Sequence, residues 1–90
     1  MDTAVLGVSG LTSTNGLSTS FLEEASMEAQ MIAAARRTIV VADATKFGYD
    51  AFAQIASSNA IDILVTDSPP PADLGKALGQ ANVDVIVAPG

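Results

Sequence analysis

The chain has 90 residues, ten acids against four bases, and a net charge of −6. It contains no cysteine and no histidine, so disulfides, Cys/His zinc sites and Cys–His or Ser–His–Asp catalysis are excluded. Its length allows one domain burying roughly 60–65% of the unfolded surface, and its acidity disfavours direct contact with nucleic acid. With three Phe and one Tyr among 49% hydrophobic residues, the core must be aliphatic.

Thr3–Val8 reads as a buried strand. It begins almost at residue one, which suggests a fragment of a longer chain. Ser9–Thr19, rich in Gly, Ser, Thr and Asn, reads as a loop. Asn15-Gly16 is a strong turn signal and would suit a hairpin, but a helical pattern follows rather than a second strand. Ser20-Phe21-Leu22-Glu23 fits a capping box. The spacing predicts a helix over Phe21–Arg36, with Leu22, Ala25, Ala29 and Ile32 as its apolar stripe. Glu23 and Glu24 suit its positive end, Arg36 and Arg37 its negative end.

Thr38–Val41 runs into Ala42-Asp43, and a polar loop over Ala44–Lys46 closes at Phe47-Gly48. An apolar run of this kind reads as a strand buried on both faces, about which the other elements can be layered. Tyr49–Ala56 is ambiguous between strand and helix and is read as a short strand. Ile61–Thr66 is another strand, ending in Asp67. After three prolines, Ala72–Ala81 reads as a helix; Gly75 and Gly79 weaken it but would permit close packing. Val83–Ala88 is a last strand. The order β-α-β-(β)-β-α-β implies an α/β fold with a Rossmann-like, mostly parallel sheet and right-handed crossovers. No apolar run approaches a membrane span, and no secretory signal is present, so a cytoplasmic protein is expected.

No Gly-rich phosphate motif is present. Gly7-Val8-Ser9-Gly10 could be a simple turn, and Glu23, Glu24 and Glu28 read as a solvated helix face. Asp43 and Asp67 each end a strand, where acids often cap turns. Asp43 has a close sequence partner, Lys46, which could hold a phosphate or carboxylate as a point charge. In an open parallel sheet ligands bind past the carboxyl ends of the strands, where Asp43, Thr45 and Lys46 would sit.

The stretches Leu6-Gly7-Val8-Ser9-Gly10-Leu11, Gly16-Leu17-Ser18-Thr19, Leu22-Glu23-Glu24-Ala25, Met31-Ile32-Ala33-Ala34-Ala35, Val41-Ala42-Asp43-Ala44-Thr45-Lys46-Phe47-Gly48, Ile61-Asp62-Ile63-Leu64-Val65-Thr66-Asp67 and Val83-Asp84-Val85-Ile86-Val87-Ala88 together resemble the effector-binding domain of DeoR-family transcriptional regulators. The resemblance implies the fold shared by ribose-5-phosphate isomerase, glucosamine-6-phosphate deaminase and the CoA-transferases, here as a partial domain. It also implies a sensor of a phosphorylated sugar or sugar-derived metabolite, commonly a homo-oligomer. DNA would be bound through an N-terminal winged helix-turn-helix that this chain does not contain; the first half of the sensor domain would be absent too. Asp43 and Lys46 would contact the metabolite, Gly7, Ser9 and Gly10 would form the facing loop, and Glu24 would help to fix it. No cofactor, metal or catalytic residue is implied. The chain departs from the family pattern at Ser9, where many members have Asp, and at Glu28, where a basic residue is common. A serine there cannot act as a carboxylate base, which disfavours the alternative of a sugar-phosphate isomerase fragment. A second alternative is a fragment acting mainly in oligomerisation.

Overall fold

A computed structural model describes residues 2–88. In chain order the elements are β1 (Thr3–Gly7), β2 (Gly10–Thr12), β3 (Gly16–Thr19), α1 (Leu22–Ala34), β4 (Arg37–Val41), β5 (Ala53–Ala56), β6 (Ile63–Thr66), α2 (Ala72–Gln80) and β7 (Asp84–Val87). Short 3₁₀ turns occupy Ala44–Lys46 and Ser58–Ala60. The strands form two sheets. One is parallel, in the order β1-β4-β6-β7; the other is antiparallel, in the order β2-β3-β5. The α/β class and the mostly parallel strand pairing follow the alternation of strand and helix patterns along the chain.

The antiparallel sheet corrects the expectation of a loop over Ser9–Thr19. Asn15-Gly16 does build a hairpin: Gly10 pairs with Ser18, Leu11 with Leu17 and Thr12 with Gly16. Gly16 has φ +70°, the left-handed conformation that closes a three-residue hairpin loop. The Thr12 hydroxyl accepts from the Asn15 amide at 3.0 Å and donates to Asp50 at 3.0 Å, which holds the turn. The short strand expected over Tyr49–Ala56 exists as β5, but it pairs with β3 in this second sheet. An isolated bridge between Leu11 and Phe47, with the Gly48 amide on the Leu11 carbonyl at 2.9 Å, joins the hairpin to the loop after β4.

Helix α1 begins without the expected capping box. Phe21 is the N-cap, in extended conformation, and no side chain caps the first turn. The helix ends at Ala34, so Arg36 lies beyond it and Arg37 opens β4; neither falls in its last turn. Its buried residues are Ala25 and Glu28, whereas Leu22 is 68% exposed. Glu28 is therefore not on a solvated face.

One core joins Leu11, Leu17 and Ile55 of the antiparallel sheet to Val40 and Leu64 of the parallel sheet, Ala25 of α1 and Leu74 and Leu78 of α2. Full burial of a Leu or Val contributes about 1.5–3 kcal/mol. Leu11, Leu17, Val40, Leu64 and Leu78 are all fully buried. The parallel sheet presents Ala4, Leu6, Thr38, Val40, Leu64 and Thr66 to this side. Its other face is open, which corrects the reading of β4 as buried on both faces: Val41 is 48% exposed. No helix among the described residues is long and apolar enough to cross a membrane.

Candidate functional site

Strand β4 is interior to the parallel sheet, between β1 and β6. Its apolar run ends where Ala42 turns inward and the polar residues Asp43, Thr45 and Lys46 begin. Asp43 caps the 3₁₀ turn: its Oδ1 accepts from the Thr45 amide at 3.0 Å and from the Thr45 hydroxyl. Lys46 bends back over the same turn. Its Nζ donates to Thr45 Oγ1 at 3.2 Å and lies 3.7 Å from Asp43 Oδ1. The Thr45 hydroxyl, then its amide and the Lys46 ammonium, hold the Asp43 carboxyl below its ordinary pKa of 3.8.

Strand β6 places Asp67 at the equivalent point of the neighbouring strand end. Asp67 Oδ1 accepts from the Ala44 amide at 2.9 Å, so the two loops are tied across the edge. Between them lies a cavity of about 180 Å³ lined by Val41, Ala42, Asp43, Val65, Thr66, Asp67 and Ala88. The sequence shows the signal for Asp67: both acids follow apolar strand runs that pair in register. Asp67 had no nearby basic partner in sequence, so its tie to the Asp43 loop was not apparent.

The remaining sequence-derived candidates divide. Gly7 pairs with Val41, so Gly7 and Ser9 leave the sheet beside the Asp43 loop. Ser9 is half-buried and its amide donates to Ser18 at 3.0 Å. Gly10 is a buried hairpin residue rather than a ligand-facing loop. A Cβ there would lie 1.9 Å from the Tyr49 carbonyl oxygen, so its role is close backbone packing. Glu24 is exposed on the first turn of α1. None of the described hydrogen bonds or ion pairs joins it to Ser9, Asp43 or Lys46.

This edge carries one ammonium, from Lys46, against the carboxylates of Asp43 and Asp67. It can bind hydroxyls through the acids and one anionic group through the lysine. A dianion needs further donors beyond these three residues.

The sequence matches the family described as the DeoR C terminal sensor domain over residues 1–68. The chain belongs to this DeoR sensor family. The DeoR-type relatives include the HTH-type transcriptional regulator GlpR of Haloferax volcanii, 35% identical over 85 residues, covering 94% of this chain and 33% of that protein. The HTH-type transcriptional repressor GlcR of Bacillus subtilis is 33% identical over 87 residues, covering 97% and 33%. The glycerol-3-phosphate regulon repressor of Escherichia coli is 28% identical over 85 residues, covering 94% and 34%. The chain thus spans about a third of the length of the curated relatives it matches. A DeoR sensor domain is a regulatory unit rather than a catalytic one.

Proposed function

We propose that this chain is the effector-binding part of a DeoR-type transcriptional regulator, sensing a phosphorylated sugar or a sugar-derived metabolite at the carboxyl edge of its parallel sheet. Lys46 pairs with the phosphate or carboxylate, Asp43 with sugar hydroxyls, and Gly7 and Ser9 line the adjacent strand exit. The observation that carries this reading is the Asp43–Thr45–Lys46 turn at the end of an interior parallel strand, where open α/β sheets bind their ligands. The relatives' names support it: two are HTH-type regulators, and a third controls a glycerol-3-phosphate regulon. DNA binding then belongs to an N-terminal helix-turn-helix outside this chain, in a cytoplasmic homo-oligomer. The sheet is part of a domain like those of ribose-5-phosphate isomerase and glucosamine-6-phosphate deaminase.

Replacing Lys46 with Ala in a regulator containing this chain tests the reading. A charge-assisted hydrogen bond is worth about 1.5–3 kcal/mol, so the effector concentration for half-response should rise roughly 10–100-fold. The fold should be unaffected, because Lys46 is part-exposed and its ion pair is local. An unchanged dose–response curve removes Lys46 from the site.

A further inference from the structure

Away from the carboxyl edge, the described residues line a separate polar cavity of about 220 Å³. It sits at the amino edge of the parallel sheet. The 3₁₀ turn Ser58–Ala60 leads into β6 and the end of α2 leads into β7, and these two strands start side by side, Ile63 opposite Asp84. The hairpin tip forms the third side. A Cβ at Gly16 would overlap the Ala56 carbonyl and Ser57, so the tip is seated on the backbone of the turn. Ser13 and Thr14 come from the tip, Ser57, Ser58 and Asn59 from the turn, and Gln80 from α2. The Ser13 hydroxyl donates to Asp73 at 3.5 Å, and none of the described hydrogen bonds uses the other five side chains. Ser57 has the extended backbone of an N-cap, yet its hydroxyl caps no amide of the turn. Ala77 and Ala81 share a face of α2 and form the apolar wall.

No charged side chain lines this cavity, in a chain with ten acids and four bases. An anion would find no cation there, and a metal ion no carboxylate. An apolar ligand would take water from the polar side chains without replacing its hydrogen bonds. We propose that the cavity is a separate binding site for a small neutral polyol, of the size of glycerol to a free hexose. Polyol hydroxyls both donate and accept, as do the hydroxyls of Ser and Thr and the amides of Asn and Gln. The C–H face of the polyol rests on Ala77 and Ala81. The volume sets the size, because larger ligands need roughly 300–1,000 Å³. Open α/β sheets bind their usual ligands at the carboxyl edge, so this site is independent of Asp43 and Lys46. It relies on neutral hydrogen bonds and little apolar area, so the dissociation constant is millimolar.

The test is saturation-transfer NMR on a purified regulator containing this chain, with glycerol and D-glucose each as the probe. Millimolar ligand is used, well above the micromolar range in which calorimetry would register an effector. The expected result is transfer from the protein to at least one probe that saturates as its concentration rises. Ala77→Leu fills the apolar wall without removing a polar group, and should abolish the transfer. Gln80→Ala removes one neutral hydrogen bond and should weaken binding roughly 2–10-fold. Gln80 is exposed, so this variant reports on the site even where Ala77→Leu fails to fold. Transfer to neither probe, or transfer that grows without saturating, overturns the proposal. So does binding that folded Ala77→Leu and Gln80→Ala proteins both retain unchanged. A signal abolished by Lys46→Ala, and kept in the other two variants, puts the polyol at the carboxyl edge and also overturns it.

Discussion

Glu28 and Asp43 show how two acids of one small domain respond oppositely to pH. Glu28 is 7% exposed and its Oε2 has no hydrogen-bond partner among the described residues. Burial, with the Glu24 charge added, raises its pKa above 4.5. The folded state therefore holds this proton more tightly than the unfolded state. Its stabilising effect is present at acid pH and is lost as pH rises from about 4.5 through the folded value. Glu28→Met keeps the helix propensity and removes the unpaired charge. It should stabilise the chain by about 1–3 kcal/mol at pH 7, with the gain shrinking at pH 4, as chemical denaturation at the two pH values would show. Asp43 behaves conversely. Its pKa lies below 3.8, so its contribution is present above that value and fades as pH falls through the folded one. Asp43→Asn should flatten this acid limb and loosen the Ala44–Lys46 turn, seen as faster amide exchange at Thr45. At Gly10 the constraint is steric rather than electrostatic. Gly10→Ala would drive a methyl into the Tyr49 carbonyl and should cost about 1–3 kcal/mol or more in urea unfolding.

Among the elements, legibility tracked length and periodicity. The parallel strands and both helices were readable because apolar residues recur at strand or helix spacing over whole elements. The hairpin was signalled by Asn15-Gly16, yet β2 and β3 have three and four residues, too few for alternation to show. The other partner of β3, β5, lies more than thirty residues downstream, and no local pattern reports that pairing. The capping box failed for a related reason. Ser20 and Glu23 have the right spacing, but Phe21 makes the turn into the helix, so the motif starts one residue early. Gly75 and Gly79 illustrate a correct spacing with the wrong consequence. They lie four apart on α2, but a Cβ at either meets nothing within 4 Å, so they support no close packing. Gly79→Ala should therefore stabilise α2 by about 0.5–1 kcal/mol, readable as a higher urea midpoint with an unchanged m-value. The turn that joins Asp43 and Lys46 was legible from its position after an apolar run. Gly10 was misread because glycine at a strand exit looks the same whether it faces a ligand or a carbonyl. Glu28 was misread because charge in a helix usually means solvent, and only the packing of α1 shows otherwise.

At the scale of the whole molecule, one winding direction accounts for much of what is observed. It gathers α1, α2 and the antiparallel sheet onto one side of the parallel sheet and leaves Val5, Val41 and Ile86 exposed on the other. It also aligns the carboxyl ends of β1, β4 and β6, so that Gly7, Asp43 and Asp67 emerge along one edge. The proposed effector site is the Asp43–Lys46 turn on this edge. Titration calorimetry of a purified regulator containing this chain against phosphorylated sugars and their unphosphorylated counterparts tests this most directly, with Lys46→Ala in parallel. Heat of binding for a phosphorylated sugar, absent for its neutral counterpart and lost in Lys46→Ala, is the expected result. Equal binding of phosphorylated and neutral sugars, or binding that Lys46→Ala leaves intact, would contradict an anion site at this edge.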